Sequence, residues 1–121
     1  MKKLTSILLL ALACGVGCNR SAAPPAPLRV EELPGALETA FARAQPDVKA
    51  LANQIVVAVQ ARNYPKAFAS LQTLSRSQGL TDEQLTILAR ATLTINALLQ
   101  DARAEGDPQA ARTLNTYRIQ K

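Results

Sequence analysis

The fold of this chain is decided by the stretch TDEQLTILARATLTINALLQDARAEG, residues 81–106. It opens with a capping box, in which Thr81 as the N-cap and Gln84 at the third helical position satisfy each other's backbone N–H groups. Between this start and Gly106, a residue type typical of helix ends, an apolar stripe recurs every three or four residues. The stripe consists of Leu85, Leu88, Thr92, Ile95, Leu99 and Ala102. The stretch therefore predicts one long helix from Asp82 to about Glu105.

Two interpretations of this apolar stripe stay open at the level of the sequence. Its spacing is that of a coiled-coil seam, and Ala91 and Leu98 widen it. As the central core helix of a monomer, it would be covered by the helices that precede it. If those helices leave it uncovered, a continuous stripe of this length would support a homodimer or bind a partner helix.

Four further helices are predicted around this one, each with a proline near its start. They cover about 34–44, 46–62, 65–76 and 108–119. Their inward-facing residues are predicted to be Leu37, Ala40, Phe41 and Ala44, then Val48, Leu51, Ala52, Ile55, Val56 and Val59, then Ala67, Phe68, Leu71 and Leu74, and finally Ala111, Leu114 and either Tyr117 or Arg118. The sequence therefore predicts an all-α fold, a small antiparallel bundle of four to five helices.

The helical region repeats itself at a shift of 43 residues. The shift aligns the stretch NYPKA, residues 63–67, with GDPQA, residues 106–110, and Leu71 with Leu114. It predicts two helical hairpins, at about 46–76 and 82–119. The first turn, in which an Asn, an aromatic and an Ala follow in that order, resembles the turn of a tetratricopeptide repeat. The 34-residue period and the Trp and Leu-Gly signature of that family are absent from this chain.

The resemblance to a tetratricopeptide hairpin implies protein or peptide binding, by analogy of fold alone. On the first hairpin, Tyr64 and Phe68 are the candidate partner contacts. The favoured interpretation of Tyr64 itself is a packing residue with its hydroxyl at the surface, and the alternative is a platform on which a ligand stacks. A homodimer is the other partner considered.

The N-terminal segment has the features of an export signal. Lys2 and Lys3 form a positive start, and residues 4–13 form an apolar stretch followed by small residues. Ten apolar residues in a helix at about 1.5 Å each cover only half of a bilayer's hydrocarbon, so the segment favours cleavage over a permanent transmembrane helix.

A small residue followed by cysteine at the end of such a leader resembles the bacterial lipobox. The resemblance implies cleavage by signal peptidase II before a lipidated cysteine. Cys18 is the candidate for lipidation, which makes residues 1–17 the signal peptide; Cys14 is the alternative. A third alternative is an ordinary secretory signal, cut near Gly17 or Ala23, that releases a periplasmic or secreted protein.

Residues 18–29 are predicted to be a tether rich in proline and alanine, and residues 30–121 the helical domain. The part from Asn19 to Pro27 has no large apolar residue and three prolines, which favours an extended chain of roughly 25–30 Å. If it is lipidated, the acyl chains hold the protein on the membrane. Since no aspartate follows Cys18, resemblance to enterobacterial lipoproteins favours the outer membrane, facing the periplasm.

Composition argues against several classes of function. The chain has no histidine, and the loss of Lys2 and Lys3 with the leader would lower its net charge from +5 to +3. The remaining basic residues are spread singly, which is unlike a nucleic-acid-binding surface. We expect no catalytic residues, no cofactor, no metal site and no small-molecule substrate. Asp82 and Glu83 are expected to cap a helix, and the acids at 101, 105 and 107 lack the spacing of a calcium loop.

The sequence thus leads to two functional hypotheses. The first is a non-enzymatic lipoprotein that displays its helical domain for protein–protein interaction in the cell envelope. The alternative is a structural or envelope-modifying small lipoprotein without a specific partner.

Overall fold

The structure, a computed structural model, describes residues 24–119, which form helices and turns without any strand. After a single 3-10 turn at Val30–Glu32, the helices are α1 (Leu33–Ala40), α2 (Pro46–Gln60), α3 (Tyr64–Ser75), α4 (Asp82–Ala104) and α5 (Pro108–Ile119). From α2 onward each helix packs antiparallel on the next. Helix α1 packs on both α2 and α4, which closes the array into a small bundle. The predicted fold class is confirmed.

The start of α4 forms as its sequence predicts. The Gln84 N–H donates to Thr81 Oγ1 at 3.1 Å, and the Thr81 N–H donates to Gln84 Oε1 at 2.9 Å. The side-chain amide of Gln84 also donates to the Ala40 carbonyl at 3.1 Å, which connects the start of α4 to the end of α1. Helix α1 is shorter than the predicted 34–44, because beyond Ala40 the chain continues in turns instead of helical bonds.

The two hairpin turns share one hydrogen-bonding pattern. The Asn63 N–H donates to the Ala58 carbonyl at 2.8 Å, and the Asp107 N–H donates to the Ala102 carbonyl at 3.0 Å. Before each of them lies a residue in the left-handed region, Arg62 with φ 56° and Gly106 with φ 94°. These pairs are related by a shift of 44 residues, so the predicted shift of 43 is wrong at the turns.

The buried positions of α3 and α5 do follow the shift of 43. Ala67 and Ala110 are both fully buried, and Leu71 and Leu114 are buried in the same way. The two shifts differ because α3 starts one residue before its proline, whereas α5 starts at the proline itself. The second hairpin therefore has one residue fewer between the left-handed residue of its turn, Gly106, and the first buried alanine of its second helix, Ala110.

The apolar stripe of α4 lies in the core of the monomer. Leu88, Ile95 and Leu99 are buried, and Thr92 and Ala102 are half-buried. The prediction fails at Leu85, which is 47% exposed. A straight helix drifts by about 20° per heptad from a strict 3.5-residue seam, so two heptads before Leu99 the stripe has turned away from the core.

Helices α1, α3 and α5 cover this stripe, and the core-helix interpretation is therefore the one observed. Its buried residues are closed to a second copy of the chain. From α1 to α3, the predicted inward residues that are buried are Leu37, Phe41, Ala52, Ile55, Val56, Val59, Ala67, Phe68, Leu71 and Leu74. Those that are only half-buried are Ala40, Ala44, Val48 and Leu51. Leu33 and Ala58 are buried without having been predicted. On α5, Ala110 is buried and the predicted Ala111 only half-buried.

The last residues of the predicted tether pack against the bundle. Leu28 is only 6% exposed and belongs to the core. Its carbonyl accepts a hydrogen bond of 2.6 Å from Thr94 Oγ1, and the Ala26 carbonyl accepts one of 2.9 Å from Arg90 Nε. We call residues 26–29 the docked segment. The packed part of the chain therefore begins several residues before position 30, where the sequence placed the start of the domain.

Candidate functional site

The two hairpin turns lie side by side at one end of the bundle and enclose an open groove of about 580 Å³. We call it the turn groove. Its lining residues are Arg62, Tyr64, Leu98, Asp101, Ala102, Glu105, Gly106 and Asp107. The backbone bonds that close the two turns fix this end of the bundle, because each turn connects antiparallel helices with a defined left-handed residue.

Tyr64 is the aromatic side chain of this groove. It is the first residue of α3, follows the helix cap Asn63, and is half-buried. The Asn63 side chain accepts from the Lys66 N–H at 3.3 Å, which orders the start of α3 and so the position of Tyr64. Tyr64 lies between the predicted helices 46–62 and 65–76, and in the structure it belongs to the second of them.

Phe68 lies one helical turn further along α3, and it faces a different groove. Its side chain is only 5% exposed and meets Tyr117 of α5 edge to face, with ring centroids 5.1 Å apart and planes at 84°. The two rings contribute to the lining of a groove of about 320 Å³ between α3 and α5. The structure therefore does not bring Tyr64 and Phe68 together in one groove.

Tyr117, whose ring packs on Phe68, was not among the candidate contact residues predicted from the sequence. The two residues are far apart in sequence and lie on different helices, so no local pattern connects them. The sequence signal for this contact is the 43-residue repeat, because it places α3 and α5 in equivalent positions of the two hairpins.

The charged residues of the turn groove have different roles. Asp107 caps α5, since its side-chain oxygen accepts from the N–H groups of Gln109 at 2.9 Å and Ala110 at 3.3 Å. Asp101, Glu105 and Arg62 are exposed, so they line the rim of the groove. Across residues 24–119, no group of three or more His, Cys, Asp or Glu side chains is arranged to hold a metal ion.

The acid pair that the sequence singled out lies at a helix start. Asp82 and Glu83 are exposed in the first turn of α4, as their capping role requires. Glu32, in the 3-10 turn before α1, accepts two hydrogen bonds from Arg29. The Arg29 N–H and guanidinium, 3.3 and 3.1 Å from the Glu32 carboxylate oxygens, lower the pKa of that carboxyl.

A third groove, of about 280 Å³, lies between α1 and α2. Leu37, Phe41 and Val56 contribute its apolar lining, and the polar side chains in it are Glu38, Lys49 and Asn53. It lies on a different pair of helices from both candidate contact residues.

The lipidation candidates Cys18 and Cys14 lie outside the described residues. Within 24–119, no helix combines the length and the apolar character needed to cross a bilayer. None of the family models, curated proteins and solved structures compared with this chain matches it.

Proposed function

We propose that the protein is a lipid-anchored protein of the bacterial cell envelope that binds a protein partner through the turn groove. In this proposal Cys18 carries the lipid, the tether connects the anchor to the bundle, and the domain performs no catalysis. Cys14 is the alternative anchor. The lipobox-like leader supports the anchoring, and the hairpin arrangement of the bundle supports the contact role.

The observation that carries the contact role is the placement of Tyr64. The chain has two Phe and two Tyr and no Trp. Phe41 and Phe68 are buried, and Tyr117 packs on Phe68. Tyr64 is half-buried beside an open groove, which suits an aromatic that contributes both to packing and to a contact with another molecule.

The groove also indicates the kind of partner surface that would fit it. Leu98 and Ala102 give it an apolar part, and the exposed carboxylates of Asp101 and Glu105 lie on its rim. A protein segment that places an apolar side chain beside Tyr64 and a lysine or arginine beside the rim acids would complement both features.

Site-specific photo-crosslinking in the native host tests this contact. The photoreactive amino acid p-benzoylphenylalanine replaces Tyr64 in the full chain, and the control places it at Val57, which is 54% exposed on the outer side of α2. We expect a discrete protein adduct from position 64 and none from position 57. The adduct should weaken when Leu98→Ala removes apolar lining from the groove.

Equal adduct patterns from positions 64 and 57, or no adduct from either, would contradict the contact role. That result would favour the alternative, a structural or envelope-modifying lipoprotein without a specific partner.

A further inference from the structure

The docked segment binds α4 in a regular way. Arg90 and Thr94 are four residues apart on one face of α4, and they donate to the carbonyls of Ala26 and Leu28, which are two residues apart. Four helical residues rise about 6.0 Å and two residues of extended polyproline chain rise about 6.2 Å, so the two spacings match. The backbone of Arg29, with φ −67° and ψ 149°, has this extended conformation.

The order of these bonds gives the direction of the chain. Ala26 lies at Arg90 and Leu28 lies at Thr94, so the docked segment runs in the same direction as α4. Pro25 and Pro24, which precede Ala26, therefore lead toward the start of α4, since two adjacent prolines favour a persistent extended direction. The start of α4 lies at the end of the bundle that is formed by the loops α1–α2 and α3–α4.

The turn groove lies at the opposite end. Glu105, at the end of α4, is about 22 Å beyond Arg90 along the helix, whereas Asp82 is about 12 Å before it. Eight residues separate Ala26 from Cys18, and an extended chain of that length reaches about 25 Å. Because Pro24 already lies about 6 Å further toward the start of α4 than Ala26, the six residues from Pro24 to Cys18 have a reach of about 19 Å. That reach is enough to pass Asp82, about 6 Å further on, and too short to return to Glu105, about 28 Å away, so the anchor point lies on the side away from the turn groove.

We infer that Arg90 and Thr94 fix the tether so that the α3–α4 loop faces the membrane and the turn groove faces away from it. This inference rests on the proposed lipid anchor. A tether that was free up to residue 30 would let the bundle take any orientation. With the docked segment in place, the domain is presented to the periplasm with its candidate contact surface outward.

The absence of tryptophan from the chain gives a clean spectroscopic test. Two full-length variants each carry one tryptophan, Gln78→Trp in the α3–α4 loop or Ala104→Trp at the end of α4, both at exposed positions. Each protein is extracted from host membranes with its lipid and reconstituted into vesicles that contain dansyl-labelled phosphatidylethanolamine. Energy transfer from tryptophan to the dansyl headgroups reports which end lies closer to the bilayer.

We expect several-fold stronger transfer from Gln78→Trp than from Ala104→Trp, because the two probes lie at opposite ends of α4, whose first and last residues are about 33 Å apart. Adding Arg90→Met and Thr94→Val should bring the two efficiencies close together. The control Thr86→Val should leave their ratio unchanged, since the Thr86 hydroxyl bonds only within α4, to the Asp82 carbonyl. If the double variant does not fold, Arg90→Met alone removes one of the two bonds and should still lower the ratio.

Equal transfer from both probes, or stronger transfer from Ala104→Trp, would overturn the inferred orientation while leaving the lipid anchor intact. Failure of the protein to float with the vesicles would overturn the lipid anchor, and the orientation with it. Vesicle flotation thus separates a failure of the proposed function from a failure of this inference.

Discussion

Replacing Thr94 by valine should destabilise the domain by about 1–3 kcal/mol, because the change leaves the Leu28 carbonyl without its donor. Thr94 is only 4% exposed, and its hydroxyl lies 2.6 Å from that carbonyl. Valine has nearly the same shape as threonine, so the variant loses the hydrogen bond without creating a cavity. For a domain of this size, 1 kcal/mol corresponds to about 4–8 °C, so Tm should fall by roughly 5–20 °C.

The helix contains its own controls for this experiment. The hydroxyls of Thr86 and Thr92 donate to carbonyls one turn back within α4, at 2.8 and 2.7 Å. At the exposed Thr86, valine should change the unfolding free energy by no more than about 0.5 kcal/mol. Thermal unfolding followed by far-ultraviolet circular dichroism measures all three variants. If Thr94→Val melts at the same temperature as Thr86→Val, the docked segment is not part of the cooperative fold.

Three further predictions follow from single residues. Arg62→Gly should raise the unfolding free energy by about 0.5–1 kcal/mol in a denaturant titration, because at φ 56° the Cβ of Arg62 is strained against the backbone and glycine has no Cβ. An unchanged unfolding midpoint would argue against that strain. Ala67→Leu should lower the unfolding free energy by about 1–3 kcal/mol, because Ala67 is fully buried and has no room for a larger side chain. At the exposed Ala69, the same substitution should leave the unfolding free energy almost unchanged, and equal effects at the two positions would refute the close packing of α3. Because the pKa of Glu32 is lowered in the folded state, its stabilising contribution is present above the unfolded pKa and is lost as pH falls through the folded pKa. NMR titration of the Glu32 carboxyl should therefore show an upward shift of its pKa when Arg29→Ala removes the guanidinium, and an unshifted titration would refute that coupling.

The helices of this fold are predictable because their signals are local. Prolines lie at or next to the starts of α1, α2, α3 and α5, and a capping box starts α4, so each boundary is set by a few neighbouring residues. The apolar stripes predicted most of the core because they too are local patterns, in which apolar residues recur every three or four positions. Leu85 is the exception, since a straight helix drifts from the 3.5-residue seam on which the stripe was drawn, and the drift turns Leu85 away from the core.

The docked segment could not be predicted from the sequence. Its bonds use the main-chain carbonyls of Ala26 and Leu28, which every residue has, and their donors are more than sixty positions away. Leu28 was the one local signal, as the first large apolar residue after the proline-rich stretch.

The contact between Phe68 and Tyr117 is likewise non-local. It explains why Phe68, one of the two candidate contact residues, is buried in the bundle. The position of Tyr64 beside the turn depends on local residues, whereas its role as a partner contact stays a prediction. Its neighbours Asn63 and Pro65 form a turn that is recognisable from the sequence, and a turn of this kind leaves the adjacent aromatic at the surface.

Lipid anchoring is the central claim, and the intact mass of the protein from detergent-extracted host membranes tests it most directly. The measurement is made on the unchanged chain and on the Cys18→Ser and Cys14→Ser variants. The claim predicts a mass that begins at Cys18, carries the added acyl groups, and disappears in Cys18→Ser but not in Cys14→Ser. An unmodified mass in the soluble fraction, beginning after Gly17, would contradict the anchor and with it the orientation of the domain at the membrane.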